Sequence, residues 1–240
     1  MPSDLAALVR FIERAPRCEP LEALNEEFAL LVERFGVRWF NYVHVADLMS
    51  PPAPRTLFGR PDSFWSDHYN AKRYFEVDPC VPRALAGGGD FTWTEARRGA
   101  EDPRVARMFD EAREAGPAEG LIIPIREATG AVTAMRLMTV APDFTPTTRS
   151  ILHIATHAYV GRGRRLMSAD APPRDCPLSP REIECLTWAS QGKTAWETGR
   201  ILDLSAATVQ KHMDNAKLKL GVNSRMLAVL EALKHGWLAG

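Results

Sequence analysis

The sequence has 240 residues, of which 45% are hydrophobic and 25% are charged, and its 30 basic residues balance 30 acidic ones. This composition is typical of a globular protein with one large domain or two modest domains. The balanced charge excludes a polycationic protein that coats DNA, but it is compatible with a local basic surface. No segment approaches the roughly 18 apolar residues of a membrane span, so we expect no membrane partner.

The N-terminus and the cysteines indicate the compartment. The first residues include acidic Asp4 and lack the apolar run of a signal peptide. The cysteines have neither the spacing of a disulfide framework nor that of a zinc site. They are Cys18, Cys80, Cys176 and Cys185. We therefore expect a cytoplasmic protein without a metal or a cofactor.

Apolar residues at helical spacing predict two helices at the start of the chain. The first stripe consists of Leu5, Leu8, Val9 and Ile12, and the second of Leu21, Leu24, Phe28, Leu31, Val32 and Phe35. Aromatic and β-branched residues over 39–45 then predict a strand.

A hairpin and a long helix are predicted further along the chain. Segments 121–125 and 132–140 favour strands, joined by a turn at Thr129 and Gly130. The helix spans 147–167, after Pro146. Its predicted buried face consists of Ile151, Ile154, Ala155 and Ala158. Helices that bracket a sheet indicate an α+β fold, here an N-terminal sensor domain with α-β-α layers around an antiparallel sheet.

A domain boundary is predicted at 168–178, a stretch that contains three prolines and two aspartates. Such a segment cannot continue a helix or a central strand. We therefore assign 1–167 to the first domain, 168–178 to a proline-rich linker and 179–240 to a second domain.

Capping signals predict four short helices in the second domain. The N-cap residues are Ser179, Thr194, Ser205 and Ser224, and the helices end at about Gly192, Leu202, Leu220 and Lys234. Ser179 and Thr194 are each followed three residues later by Glu, which completes a capping box, and Pro180 suits the first helical position. Four short helices with short turns make a helix-turn-helix bundle.

The third of these helices, 205–220, has two unlike sides. Its apolar stripe consists of Val209, Met213, Ala216 and Leu220, which suits a small core. The opposite side carries Gln210, Lys211, Asp214 and Asn215, flanked by Thr208, Lys217 and Lys219. A helix fits the DNA major groove, where amide and ammonium groups reach base edges and hydroxyls and lysines suit phosphates. On an isolated helix the same side chains would more often form a solvated surface.

The pattern around this helix extends through most of the second domain. It includes Leu178-Ser-Pro-Arg-Glu182, Trp188-Ala189, Gly192-Lys193-Thr194, Ile201-Leu202, Thr208-Val209, Lys219-Leu220 and Ala228-Val229. In this register the segment resembles the LuxR-type DNA-binding domain. The resemblance implies that the third helix enters the major groove, that the fourth supports dimerisation, and that the protein is a regulator and not an enzyme. The candidate DNA contacts are Thr194, Thr208, Gln210, Lys211, Asp214, Lys217 and Lys219.

One residue departs from that pattern. Gly199 lies in the second helix of the domain, where the family usually has a small apolar residue such as Ala. A glycine there costs up to about 1 kcal/mol of helix propensity relative to Ala.

The first domain contains a constellation of aromatic and acidic residues. It consists of Phe64-Trp65, Tyr69, Asp78-Pro79, Trp93 and Gly120-Leu-Ile-Ile-Pro124. Trp65 and Tyr69 are four residues apart and share a helix face. The spacing resembles the autoinducer-binding domain of the LuxR quorum-sensing regulators, so the resemblance covers nearly the whole chain. It implies an acyl-homoserine lactone as the ligand.

The resemblance also implies roles for these side chains. The Trp65 indole N–H would donate to the lactone carbonyl, and ionised Asp78 would accept the ligand amide N–H. Tyr69 would hold or pack the acyl carbonyl, and Trp93 would wall the lactone ring.

Two positions depart from this family. Pro61 stands where a tyrosine is common, and Arg136 falls about where a small hydroxyl residue often touches the acyl group. If Arg136 points into the domain, it contacts the ligand and needs an anionic or strongly polar partner, because a buried unpaired charge is costly. A register shift of one residue would turn it to solvent. Both placements stay open, as does an unusual ligand or none.

Three further groups of residues are weaker candidates for a functional site. Gly87, Gly88 and Gly89 lack the spacing and the lysine of a phosphate loop and indicate a turn. His44, His68 and Cys80 resemble a nucleophile set, and His153 and His157 a metal pair. Packing or solvent exposure accounts better for both sets, because neither has a supporting motif.

The leading hypothesis is a ligand-responsive transcription regulator that binds double-stranded DNA as a homodimer. Two-fold symmetry then predicts a near-palindromic operator, and RNA polymerase is a further candidate partner. The alternative is a LuxR-type regulator whose N-terminal domain binds no lactone and serves dimerisation or protein contact. A lactone or amide hydrolase with a DNA-binding tail would require an activated nucleophile. The acyl chain, the operator and the direction of regulation stay open.

Overall fold

The chain divides into two units, Met1–Asp170 and Ala171–Gly240. The computed structural model describes residues 2–46, 54–127, 130–140, 144–170 and 176–238. Each unit has its own hydrophobic core. None of the helices within these ranges has the length and apolar character that crossing a membrane requires.

An antiparallel sheet forms the centre of the first unit. Its strands are β1 (Val37–Ala46), β2 (Arg55–Arg60), β3 (Phe91–Thr92), β4 (Glu119–Arg126) and β5 (Val132–Thr139), in the spatial order β2-β1-β5-β4-β3. The predicted strand is confirmed as part of β1, and the predicted hairpin as β4 and β5. In the turn, Gly130 has a φ of 82°, whereas Thr129 lies outside the described residues.

Helices cover both faces of this sheet, which confirms the α-β-α layering. They are α1 (Pro2–Arg14), α2 (Leu21–Val32), α3 (Ser63–Ala71), α4 (Cys80–Ala86), α5 (Trp93–Ala96), α6 (Pro103–Ala115) and α7 (Pro146–Asp170). On one face, α1, α2 and α7 share a core in which the Phe28 and Tyr159 rings stack with centroids 4.2 Å apart. On the other face, α3 to α6 share a second core with β1, β4 and β5. Side chains along β1 alternate between the two cores, because successive residues of a strand point to opposite faces.

Two predicted apolar faces are rotated in the structure. On α1, Leu8 is buried, but Leu5, Val9 and Ile12 are all exposed, and Phe11 lies in the core. On α7, Ile151 is buried, whereas Ile154 is 50% exposed. Apolar residues at three- and four-residue spacing define several overlapping stripes on a helix. The element that packs against the helix selects one of these stripes, so the sequence alone did not identify the buried face of either helix.

Four short helices form the second unit. They are α8 (Pro180–Ser190), α9 (Ala195–Leu202), α10 (Ala206–Leu220) and α11 (Arg225–Lys234). The four predicted N-caps are confirmed, and the capping boxes at Ser179 and Thr194 are both complete. The predicted stripe of α10 faces the core, with Val209, Met213 and Ala216 buried.

The segment between the units begins later than predicted. Helix α7 runs to Asp170, three residues beyond the predicted end at 167, and Leu178 already packs in the core of the second unit. Residues 171–175 of the predicted linker lie outside the described residues.

Candidate functional site

A pocket lies in the first unit between the sheet and helices α3 to α6. It encloses about 540 Å³ of empty space, counting the part that is open to solvent. Its lining includes Trp65, Tyr69, Asp78, Trp93 and Arg136. The structure therefore brings together all five residues that the sequence assigned to the ligand site.

Helix α3 presents Trp65 and Tyr69 to the pocket from successive turns. Asp62 caps this helix and accepts a hydrogen bond from the Trp65 backbone N–H at 2.8 Å. Trp65 is 2% exposed and Tyr69 is 5% exposed. Among the described residues, no acceptor is paired with the Trp65 indole N–H, so this donor is available to a ligand.

Asp78 is held by two hydrogen bonds. Its Oδ2 accepts from the Tyr69 hydroxyl at 2.8 Å, and its Oδ1 accepts from the Cys80 backbone N–H at 2.8 Å. A carboxylate has about four lone-pair sites, so Asp78 retains capacity for a further donor. Burial, together with the charge of Asp78, raises the pKa of Tyr69 well above its ordinary value. Tyr69 therefore stays protonated, and its single O–H donates to Asp78.

Trp93 is positioned by its contact with a glycine. A Cβ on Gly120 would lie 2.5 Å from the Trp93 indole, so only glycine lets the ring lie against β4. The neighbouring Glu119 accepts hydrogen bonds from the backbone N–H groups of Thr94, at 3.2 Å, and Gly120, at 2.9 Å. These contacts fix the start of α5 and with it the orientation of Trp93.

Arg136 lies in β5 and faces the pocket, which decides between the two placements that the sequence left open. Its Cζ lies 5.6 Å from the centroid of the Tyr69 ring. In the strand register it stands opposite Asn41 of β1 and Ile122 of β4. Within the described residues, its guanidinium has no hydrogen bond and no ion pair.

Sequence reasoning missed the apolar wall of the pocket, much of which comes from α6. This helix contributes Met108, Phe109 and Ala112 to the lining. Two signals could have revealed it. Asp102 and Pro103 form an N-cap followed by proline, and Val105, Met108, Phe109 and Ala112 have helical spacing. The remaining wall residues, such as Val43 and Ala134, lie in strands that were predicted correctly, but the sequence did not show which helices pack against them.

The structure also shows the environment of the residues for which weaker hypotheses were considered. Burial and the charge of Asp78 raise the pKa of the Cys80 thiol well above its ordinary value, which disfavours the nucleophilic thiolate. His68 contacts Glu111 at 2.7 Å. The His153 and His157 Nε2 atoms lie 3.2 Å apart, and the described residues contain no group of three or more metal-ligating side chains. Gly87 and Gly88 have positive φ values and form the turn after α4.

In the second unit, α10 exposes the polar side that the sequence assigned to DNA. Gln210, Lys211 and Asp214 are all exposed. Gln210 Nε2 donates to Asp214 Oδ1 at 3.1 Å, and Lys217 Nζ lies 2.7 Å from the same oxygen. The ion pair with Lys217 holds the pKa of Asp214 below its ordinary value. On the exposed side of α10, the side chains of Gln210, Asp214 and Lys217 are therefore bonded to one another along the helix.

The other candidate DNA contacts also have partners within the unit. The Thr194 hydroxyl bonds to Glu197 of its capping box at 2.8 Å, and the Thr208 hydroxyl lies 2.8 Å from that of Ser205. Lys219 Nζ lies 2.8 Å from Oε2 of the buried Glu182. Lys219 is thus tied to the cap of α8, which gives it a structural contact besides any contact with DNA.

Gly199 has a packing reason in this structure. A Cβ at this position would lie 2.6 Å from the Leu204 carbonyl oxygen, in the turn between α9 and α10. A larger residue at this position would require a shift of the backbone. The glycine lowers the helix propensity of α9, but it allows the turn to pack closely against that helix.

Two protein families match the chain. Residues 21–162 match the autoinducer binding domain, and residues 176–232 match the bacterial regulatory proteins of the luxR family. The first match covers the pocket, and the second covers α8 to α10 and most of α11.

Similar proteins extend over nearly the whole chain. The transcriptional activator protein BjaR1 of Bradyrhizobium diazoefficiens is 34% identical over 221 residues, which are 90% of this chain and 88% of that protein. The quorum sensing-dependent transcriptional regulator RpaR of Rhodopseudomonas palustris is 34% identical over 95% of this chain and 93% of its own. Both relatives are transcription regulators and not enzymes. The crystal structure of SdiA from Escherichia coli shares the fold, with a TM-score of 0.73 at 19% identity, and covers 98% of this chain and 99% of that chain.

Proposed function

This chain belongs to the LuxR-type quorum-sensing transcription regulators, and we propose that it binds an N-acyl-homoserine lactone in its pocket and operator DNA as a homodimer. A small-molecule ligand and DNA are the partners of its two matched domains.

The observation that carries the ligand proposal is that an unpaired donor, the Trp65 indole N–H, and an acceptor with spare lone pairs, Asp78, line the same pocket. An acyl-homoserine lactone offers carbonyl acceptors and a single amide N–H donor. The free Trp65 indole N–H suits the lactone carbonyl, and the remaining lone pairs of Asp78 suit the amide N–H. Tyr69 supports Asp78 through its hydroxyl, and Trp93 gives the lactone ring a flat wall.

Asp78→Asn tests this proposal, because it removes the charge and keeps the size of the side chain. In thermal melts of the full chain with a panel of N-acyl-homoserine lactones, the wild type should be stabilised by the lactones that bind. The variant should lose at least about tenfold in affinity, the lower end of what a charge-assisted hydrogen bond contributes. The matched control is Asp110→Asn on the exposed side of α6. A lactone response that is equal in both variants would remove Asp78 from the site.

For DNA, we propose that α10 of each subunit enters a major groove, with half-sites about one helical turn apart. Gln210 suits adenine, Lys211 suits guanine, and Asp214 suits the amino group of cytosine. Thr194, Thr208, Lys217 and Lys219 are the candidate phosphate contacts. As a regulator of chromosomal genes the protein would act in the cytoplasm, with RNA polymerase as a further partner.

Alanine substitutions of Gln210, Lys211 and Asp214 test the interface in the full chain. Loss of a base contact should cost about 1–3 kcal/mol and relax the preference at one base pair of each half-site. Lys234→Ala, an exposed change on α11, is the control. The measurement is selection of bound operators from a random-sequence library, followed by affinity at fixed salt. An unchanged base preference in all three variants would contradict the proposed interface.

A further inference from the structure

The pocket holds a cation that nothing in the described protein neutralises. Arg136 presents five N–H donors, and among the described residues none of them is paired. Asp78, the acidic side chain in the pocket lining, is bound to the Tyr69 hydroxyl and the Cys80 N–H. Asn41, opposite Arg136 in the sheet, has a buried Oδ1 that lacks a hydrogen-bond partner among the described residues, but a neutral amide oxygen cannot neutralise the cation.

The contact that Arg136 does make is a weak one. Its guanidinium lies over the Tyr69 ring with Cζ 5.6 Å from the centroid. A cation–π contact of this kind stabilises much less than a paired and hydrogen-bonded ion pair. In the open pocket, water can hydrate the remaining donors.

A ligand changes this balance, because it displaces the water. A saturated acyl chain laid against Arg136 would remove hydration from a cation and return no hydrogen bond, which is costly. Tyr69 cannot relieve the deficit, since its only proton is already donated to Asp78. The single Oδ1 of Asn41 cannot satisfy five donors, so the ligand is the remaining source of acceptors, and a charged acceptor would also neutralise the cation.

From this geometry we infer that the pocket selects acyl-homoserine lactones whose acyl chain carries an anionic oxygen group, such as a carboxylate, that pairs with Arg136. The inference rests on the proposed function, because it concerns the acyl end of the same ligand. A carboxylate suits the planar fork of a guanidinium, which can donate two parallel hydrogen bonds to it. The apolar wall from α6 would then surround the methylene groups between the amide and the carboxylate.

Matched ligands test the inference on the wild-type full chain. The probes are N-succinyl-, N-adipoyl- and N-suberoyl-homoserine lactone, each with its methyl ester, and saturated acyl lactones of the same lengths. Affinities are measured by isothermal titration calorimetry. We expect the best acid to bind at least about tenfold more tightly than its own ester. If the ester binds as tightly as the acid at every length, a neutral acceptor is sufficient and the inference is overturned.

Variants assign the preference to Arg136. Arg136→Met should abolish the preference for the acid or reverse it in favour of the saturated chain, whereas Arg136→Lys, which keeps the charge, should retain part of it. Arg38→Met, on the neighbouring strand and exposed, should behave as the wild type. A preference that survives in Arg136→Met would contradict the inference. The comparison of acid and ester in the wild type decides the question even if a variant does not fold.

The same titrations separate this inference from the proposed function. If Arg136→Met binds saturated lactones and Asp78→Asn abolishes that binding in the same background, the lactone site stands whatever the wild type prefers. If neither the wild type nor Arg136→Met binds any lactone, both the inference and the ligand proposal are wrong.

Discussion

The two polar sites of this protein are built in opposite ways. In the pocket, Trp65 and Tyr69 are almost completely buried, and Tyr69 is hydrogen-bonded to a residue on a different element. On α10, Gln210 and Asp214 are exposed and hydrogen-bonded along their own helix. A buried polar group depends on its partner, because water cannot replace it. An exposed one loses little when its partner is removed, since water and salt screen the contact.

This difference predicts where substitutions act. Changes in the pocket should alter stability and ligand binding together, whereas changes at Gln210 and Lys211 on the exposed side of α10 should alter DNA recognition and leave stability nearly unchanged. Each experiment below compares one site with the other, or a buried contact with an exposed one, in the full chain.

The largest effect is expected where the pocket has no spare space. Gly120→Ala places a Cβ 2.5 Å from the Trp93 indole. Overpacking of this kind costs about 1–3 kcal/mol, and it should also displace the wall of the pocket. Gly89→Ala is the matched control, because a Cβ there meets nothing within 4 Å. Urea unfolding gives the free energies. Equal stability of the two variants would mean that Trp93 does not lie against β4.

A smaller effect is expected from a single hydroxyl. Tyr69→Phe keeps the ring and removes the hydrogen bond to Asp78, which should cost about 1–2 kcal/mol because the acceptor is charged and partly buried. Gln210→Ala removes the corresponding bond on α10 and should change stability by less than about 0.5 kcal/mol. Chemical unfolding of both variants makes the comparison. If Gln210→Ala is the more destabilising of the two, the contrast between the sites is wrong.

The lysines of the second unit divide in the same way. Lys219 pairs with Glu182, whose side chain is 4% exposed, so Lys219→Met should destabilise the unit by about 1 kcal/mol. Lys211→Met should leave stability unchanged and relax the preference for guanine at one base pair of each half-site. Hydrogen exchange of the α8 and α10 amides measures the first effect, and selection of operators from a random-sequence library measures the second. If Lys211→Met is the more destabilising of the two variants, the pair with Glu182 does not set the difference between these lysines.

The smallest expected effect is the pH dependence of the stability that the Lys219–Glu182 ion pair contributes. Burial raises the pKa of Glu182, but the ion pair with Lys219 and the hydrogen bond from the Ser179 N–H outweigh it and hold the pKa below its ordinary value of 4.5. Because the folded pKa is lowered, the stabilisation is complete above the unfolded value and is lost as the pH falls through the folded one. Protection of the α8 amides should therefore drop below about pH 4.5 in the wild type and less so in Lys219→Met. If the protection of the α8 amides falls with pH in the same way in both proteins, Lys219 is not the cause of the pH dependence.

Local signals explain why the second unit was predictable from the sequence. Its helix boundaries depend on caps such as Ser179 and Thr194, whose partners are three residues away. The side of α10 that faces the core follows from one unambiguous stripe of four apolar residues. Nothing in that prediction required knowledge of a distant contact.

The first unit depends on distant contacts, and the prediction was weaker there. The five polar and aromatic residues of the pocket were assigned from the resemblance to the autoinducer-binding domain. The direction of Arg136, however, depends on the pairing of β5 with β1 and β4, which a slip of a single residue would reverse. The exposed Ile154 shows the same limit for a helix, since only the packed sheet selects the buried stripe of α7. Helix α6 was missed although its cap and spacing were present in the sequence.

The central claim is that Asp78 and its neighbours hold a lactone inside the first unit. Its most direct test is native mass spectrometry of the full chain after exposure to an extract of the source cells, for the wild type and for Asp78→Asn. The account predicts about one acyl-homoserine lactone per subunit in the wild type and little or none in the variant. Equal occupancy in the two proteins, or a bound molecule without a lactone ring, would contradict it.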